Sequence, residues 1–167
     1  MFVDGYLFSS NLWYIRESVP LSLEKYLILF SSALQLITKK IKMKNLIIDA
    51  AGEKILFKII IKKESFSTIH SNSRDNFDKF VILLFDFLQE NNIKIEDINN
   101  IFVNLGPGKF SSIRSSIAIA KGLGISKKIP IYGFCTKQIS NNNYNKLFEL
   151  LNNGDLIKNL LKPKYKS

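Results

Sequence analysis

The sequence predicts an α/β fold: a mixed five-stranded sheet with two long helices. Three observations carry this. Short apolar runs of strand length recur between turn signals. Two longer segments place apolar residues three and four apart, as helices do. The order of these pieces is β-β-β-α-β-α-β.

The first strand is Asn45 to Asp49, a buried-type run ending in an acid. Ala51-Gly52-Glu53 is a turn signal, and Lys54 to Lys63 alternates as a second strand. Glu64 to Ile69 supplies a third, so the start of the sheet reads as antiparallel hairpins. Ser73 is an N-cap candidate for a helix reaching Glu90, with Asn76 where a capping box would need Glu. Its stripe is Phe77, Phe80, Val81, Leu84, Phe85 and Leu88, and Asn91-Asn92 stops it. Asn100 to Asn104 is the fourth strand. Gly106-Pro107-Gly108 is a tight loop, and Ser111 or Ser112 caps a second helix running to about Ile125. Ile129 to Phe134, entered through Pro130, is the fifth strand. From Cys135 the chain is asparagine-rich and reads as loose. A short helix from Asn145 to Leu151 and an extended Leu161 to Tyr165 complete it.

Three segments emerge: an N-terminal extension 1–42, a domain 43–136 and a short tail 137–167. Leu23, Leu27, Phe30, Leu34 and Ile37 mark a helix within Leu21 to Lys42. Its apolar run is shorter than the about 20 residues of a membrane span, and it lacks the basic start and cleavage site of a signal peptide. Met43-Lys44 directly precedes a strand, so 1–42 reads as an upstream, mis-assigned start. The rival is a docking or membrane-surface helix with Lys39, Lys40 and Lys42 at its basic end.

Composition narrows the chemistry. The 167 residues are 46% hydrophobic, enough to form a core, which excludes wholesale disorder. One cysteine and one histidine exclude a disulfide scaffold and a single-chain Cys/His zinc site. The net charge is +10, from 24 basic and 14 acidic side chains. Such a field attracts nucleic acid. Only Arg16, Arg74 and Arg114 are arginines, however, so bidentate phosphate forks are scarce. The lysines accompany abundant isoleucine and asparagine, a codon-bias pattern that raises charge without a functional cause.

The informative segment is Asn104 to Gly133. A strand feeding a glycine turn and then a helix start places backbone N–H groups where phosphate can bind. The bland reading of Gly106-Pro107-Gly108 is turn geometry alone. The longer text is more specific. Leu105-Gly-Pro-Gly-Lys-Phe-Ser-Ser-Ile-Arg114, then Ile117-Ala-Ile-Ala-Lys-Gly-Leu-Gly124, then Lys128-Ile-Pro-Ile-Tyr-Gly133 resembles the signature of the TsaB (YeaZ) family. Leu46-Ile47-Ile48-Asp49-Ala50-Ala51 resembles its opening strand motif, and Lys162-Pro163-Lys164-Tyr165 its closing segment.

That resemblance implies an ASKHA-like first lobe, the architecture of actin, Hsp70 and sugar kinases, with the second lobe largely missing. It implies an accessory rather than catalytic role. Such a subunit pairs with a TsaD-like transferase that adds threonylcarbamoyl to a tRNA adenosine beside the anticodon. A TsaE-like ATPase joins them, and tRNA is met indirectly, through the complex. The location implied is cytoplasmic, with no membrane span, and homodimers use the same surface. Carried onto this sequence, the pairing surface comprises Phe77, Phe80, Val81, Leu84, Ile113, Arg114, Ile117 and Lys121. The alternative for any one apolar residue is packing on its own sheet, and for Arg114 a surface ion pair. No catalytic residue and no metal site are implied. No cofactor belongs to this chain alone, with ATP confined to the assembled complex. Asp49, Gly52, Gly106, Pro107 and Gly108 form a vestigial phosphate site.

The sequence departs from the family in its length, in Ala50-Ala51 where hydroxyls usually stand, in Lys109-Phe110-Ser111-Ser112, and in Cys135-Thr136. These departures weigh against independent nucleotide binding. Two rival readings remain: a minimal ASKHA nucleotide binder, and a truncated paralogue without partner binding.

Overall fold

The computed structural model describes residues 25–34, 43–62, 64–139, 142–158 and 161–165. The chain divides into two compact units, Met1–Lys42 and Met43–Ser167. In the first, residues 25–34 are helical and exposed, including Leu27, Phe30 and Leu34. Leu23, Ile37 and the basic end of the expected helix lie outside the described residues.

The second unit is built on one mixed sheet. Strands β1 (Lys44–Asp49), β2 (Lys54–Ile61) and β3 (Glu64–Ser71) form antiparallel hairpins. β4 (Ile98–Asn104) runs parallel to β1, and β5 (Ile131–Phe134) parallel to β4. A short β6 (Ile157–Lys158) adds antiparallel to β5. The order is β3-β2-β1-β4-β5-β6. The sheet thus has six strands rather than the five expected. β6 is only two residues long and is defined by pairing Ile157 with Gly133, which no local pattern signals.

The first helical segment is two helices, α1 (Arg74–Asp78) and α2 (Phe80–Glu90), separated at Lys79. Ser73 caps α1 as expected: its Oγ accepts the Asn76 N–H at 3.4 Å. α2 ends at Asn91-Asn92, where Asn92 adopts positive φ, a conformation Asn tolerates better than most residues. The second helix, α3 (Phe110–Lys127), starts earlier than expected. Its N-cap is Lys109, not Ser111 or Ser112. The Lys109 N–H is drawn to the Ala51 carbonyl, and the Ser112 hydroxyl donates instead to Asn72.

Strand alternation sorts the core onto two faces. Leu46, Ile48, Ile55, Phe57, Ile59, Ile101 and Val103 meet Phe80, Leu84, Phe87 and Leu88 of α2 and Ile113, Ile117 and Ala120 of α3. Ile47, Ile60, Phe102 and Phe134 face the other way. They pack with Tyr144, Leu147 and Leu156 around the last helix, α4 (Lys146–Asn153). The tail expected to be loose is therefore packed: α4 is the sheet's second layer. Its short stripe of Leu147, Phe148, Leu150 and Leu151 needs the strand residues above it to have any meaning.

Candidate functional site

The ends of β1 and β4 meet at the Gly106–Gly108 loop. Asp49 closes β1, with Oδ1 accepting the Ala51 N–H at 3.2 Å and Oδ2 accepting the Tyr144 hydroxyl at 2.9 Å. Tyr144 is 8% exposed, and its hydroxyl pKa is pushed up by burial and by the adjacent Asp49 carboxylate. The phenol thus stays a proton donor to Asp49. At the end of β4, Asn104 Oδ1 accepts the Gly106 N–H at 2.9 Å, and its Nδ2 donates to Thr136 Oγ1 at 3.0 Å. The Thr136 N–H donates to the Gly106 carbonyl at 3.0 Å.

The loop glycines are required by contact and conformation. Gly106 has φ +104 and lies against the Lys164 carbonyl. A side chain on Gly108 would run into the Ala51 carbonyl. The Gly106-Pro107 peptide bond is cis. Asn72 then ties the β1–β2 turn to α3. Its Nδ2 donates to the Ala50 and Gly52 carbonyls at 3.1 and 2.8 Å, and its Oδ1 accepts from Ser112 at 2.6 Å. Lys109 Nζ pairs with Glu53 at 2.7 Å.

Beside these strand ends is a cleft of about 700 Å³. Asp49, Gly52 and Pro107 line it, with Lys54, Lys58, Ser67, Asn104, Thr136 and Tyr144. Gly106 and Gly108 are not among its lining residues, because backbone already covers them. The five residues expected at the phosphate site are thus gathered beside the adjoining ends of two parallel strands, but only three reach the cleft. Sequence reasoning missed Asn72, Asn104 and Tyr144. Only Asn104 carried a local signal, an asparagine at a strand end just before a glycine turn.

The fit to a nucleotide's phosphates is poor. Both Asp49 oxygens accept hydrogen bonds from within the chain, Ala50 and Ala51 offer no hydroxyls, and Gly108 faces protein backbone.

The residues expected at a pairing surface divide. Phe80, Leu84, Ile113 and Ile117 are buried in the core, since those helix positions point at the sheet. Phe77 and Lys121 are half-buried. Val81 and Arg114 are exposed, and so are Ile82, Phe85 and Ile125, so the outward side of α2 retains an apolar group, with Ile125 in the last turn of α3.

The family model described as TsaD: tRNA N6-adenosine threonylcarbamoyltransferase matches residues 70–144. The tRNA threonylcarbamoyladenosine biosynthesis protein TsaB of Buchnera aphidicola subsp. Schizaphis graminum (strain Sg) is 33% identical over 94 residues, 56% of this chain and 45% of that protein. The protein of the same name from Escherichia coli (strain K12) is 30% identical over 63 residues, 38% of this chain and 27% of its own length. The chain is thus similar in sequence to proteins of the TsaB/YeaZ family. The YeaZ structure from Pseudomonas aeruginosa shares the fold, with a TM-score of 0.52 at 19% identity, covering 56% of this chain and 44% of that one. The mixed sheet with helices on both faces is the fold shared with that YeaZ structure. The chain spans less than half the length of the curated relatives it matches. No helix among the described residues is long and apolar enough to cross a membrane.

Proposed function

We propose that this chain is a non-catalytic TsaB-like subunit in tRNA threonylcarbamoyladenosine biosynthesis. It binds a TsaD-like transferase by helix–helix contact and holds it in its competent state. A TsaE-like ATPase joins the assembly, tRNA is met through the complex, and the setting is cytoplasmic. The observation that carries the reading is the exposed apolar group Val81, Ile82 and Phe85 on α2. Apolar side chains grouped on the outside of a finished core are typical of a surface that is covered in an assembly. The engaged Asp49 supports an accessory role, because its carboxylate is committed within the chain. A second copy of the chain is the competing partner of the same group.

The test is co-purification with the TsaD-like protein of the same organism. Wild type is expected to bind, and Val81→Asp with Phe85→Asp to fold without binding. Folded wild type that fails to bind overturns the reading. ATP titration of the isolated chain is expected to give no saturable binding. Saturable binding would favour the minimal nucleotide binder, with the 700 Å³ cleft as its site.

A further inference from the structure

We propose that the first turn of α3 and the closing segment Leu161–Tyr165 form a stacking platform for a single-stranded nucleic-acid segment. The inference stands apart from the proposed transferase contact. Phe110 and Tyr165 stack with centroids 4.6 Å apart and planes 29° from parallel. They do so at the surface, 56% and 42% exposed. The Arg114 guanidinium carbon sits 5.0 Å from the Phe110 centroid. Both rings thus keep part of their surface open to solvent beyond the stack and the guanidinium contact.

Backbone, not ring contact alone, holds this arrangement. Tyr165 bridges Gly108 in parallel fashion, and the Lys164 N–H donates to the Leu105 carbonyl at 2.6 Å. The platform is ordered before any ligand arrives, which lowers the entropy cost of using it.

Charge selects the ligand. From Ile98 to Phe148 every formal charge in the sequence is Lys or Arg; in space Lys109 pairs with Glu53 and Lys127 with Glu96, so the cation beside the rings is Arg114. The closing segment adds exposed Lys162 and Lys164, again without an acid. General lysine enrichment does not account for this, because the 14 acidic residues are spread elsewhere in the chain. Exposed aromatic faces beside arginine in a cationic field match the needs of an unpaired strand: bases stack on rings, and phosphates meet the cations. A duplex hides its base faces and gains only the charge component.

The experiment is fluorescence anisotropy of the full chain with labelled oligouridylate, oligothymidylate and a duplex RNA, across salt concentrations. Wild type is expected to bind the single strands more tightly than the duplex, with affinity falling as salt rises. Phe110→Leu and Tyr165→Leu are each expected to weaken single-strand binding by about tenfold, while duplex binding changes little. Arg114→Gln is expected to weaken binding and flatten its salt dependence. The two single-strand probes separate RNA from DNA as the source of the chemistry. Photo-crosslinking to the oligouridylate is expected to map to the peptides holding Phe110 and Tyr165, which guards against a variant that merely misfolds. Absence of single-strand binding at low salt overturns the proposal. So does equal binding of strand and duplex, unchanged affinity in folded ring variants, or crosslinks confined to other peptides. Transferase co-purification reads the other proposal, so the two can fail separately.

Discussion

The two faces of the sheet are covered unequally. On one, α2 and α3 close a cluster of 21 buried residues, so broad that both helices have an inner and an outer side. On the other, α4 closes a cluster of 8, centred on Phe102, Phe134 and Leu147. There the neighbouring strands stay open: Lys58, Ser67 and Ile69 line the cleft, with Leu56 at the edge of the core. The difference teaches where each kind of interaction can be built. The well-covered face offers a stable outer layer of helix. The thinly covered face offers a concavity.

The contrast is most sharply broken by charge placed on the inner and outer sides of α2. Leu84→Asp buries an unpaired carboxylate in the larger cluster and is expected to cost several kcal/mol, abolishing the folded state. Val81→Asp, one turn away but exposed, is expected to melt within a few degrees of wild type. Thermal denaturation of the pair decides whether α2 has two sides. Next in size is a comparison between clusters. Phe57→Ala is expected to cost about 3–5 kcal/mol, and Leu147→Ala about 2–5 kcal/mol. A negligible loss at Leu147 in urea titrations would return the tail to the loose state first expected.

A smaller effect sharpens the loop. Gly108→Ala must push the loop away from Ala51 and is expected to cost about 1–3 kcal/mol. Gly52→Ala, with open space around it, is expected to be near neutral in the same titration. Of similar size is Tyr144→Phe, which removes one hydrogen bond to a carboxylate, about 1.5 kcal/mol. Its pH signature is distinctive. The folded-state pKa of Tyr144 lies above its unfolded value, so the folded state holds the proton longer. The resulting stability is intact below about pH 10, the ordinary tyrosine value, and is lost as pH rises beyond it. Alkaline unfolding of Tyr144→Phe should therefore be flatter than that of wild type.

Much of this architecture was legible because local pattern and final environment agree. Leu46-Ile47-Ile48 and Ile101-Phe102-Val103 are continuous apolar runs, and both become central strands buried on both faces. Ser73 and Asn91-Asn92 mark helix ends by chemistry that acts within one turn. The failures share a cause: they depend on partners distant in sequence. β6 exists only through Tyr132 and Gly133. The α3 cap moved because Ala51 and Asn72 compete for groups of the loop. Helix periodicity gathered Phe80 and Val81 into one stripe, although only the former turns inward; a broad stripe does not say where the sheet lies. At the candidate site, the glycines were legible as a motif. The Tyr144–Asp49 hydrogen bond was not, because 95 positions separate its ends.

The outermost strand has a consequence for handling the protein. β3 is eight residues long and, among the described residues, pairs only with β2 and leaves its other side without a neighbour in the sheet. Phe66 and Ile69 project from it into solvent. Such a rim can recruit extended peptides or copies of itself in concentrated solution. A lysine at position 69 would shield it from colloidal clumping while leaving both cores untouched.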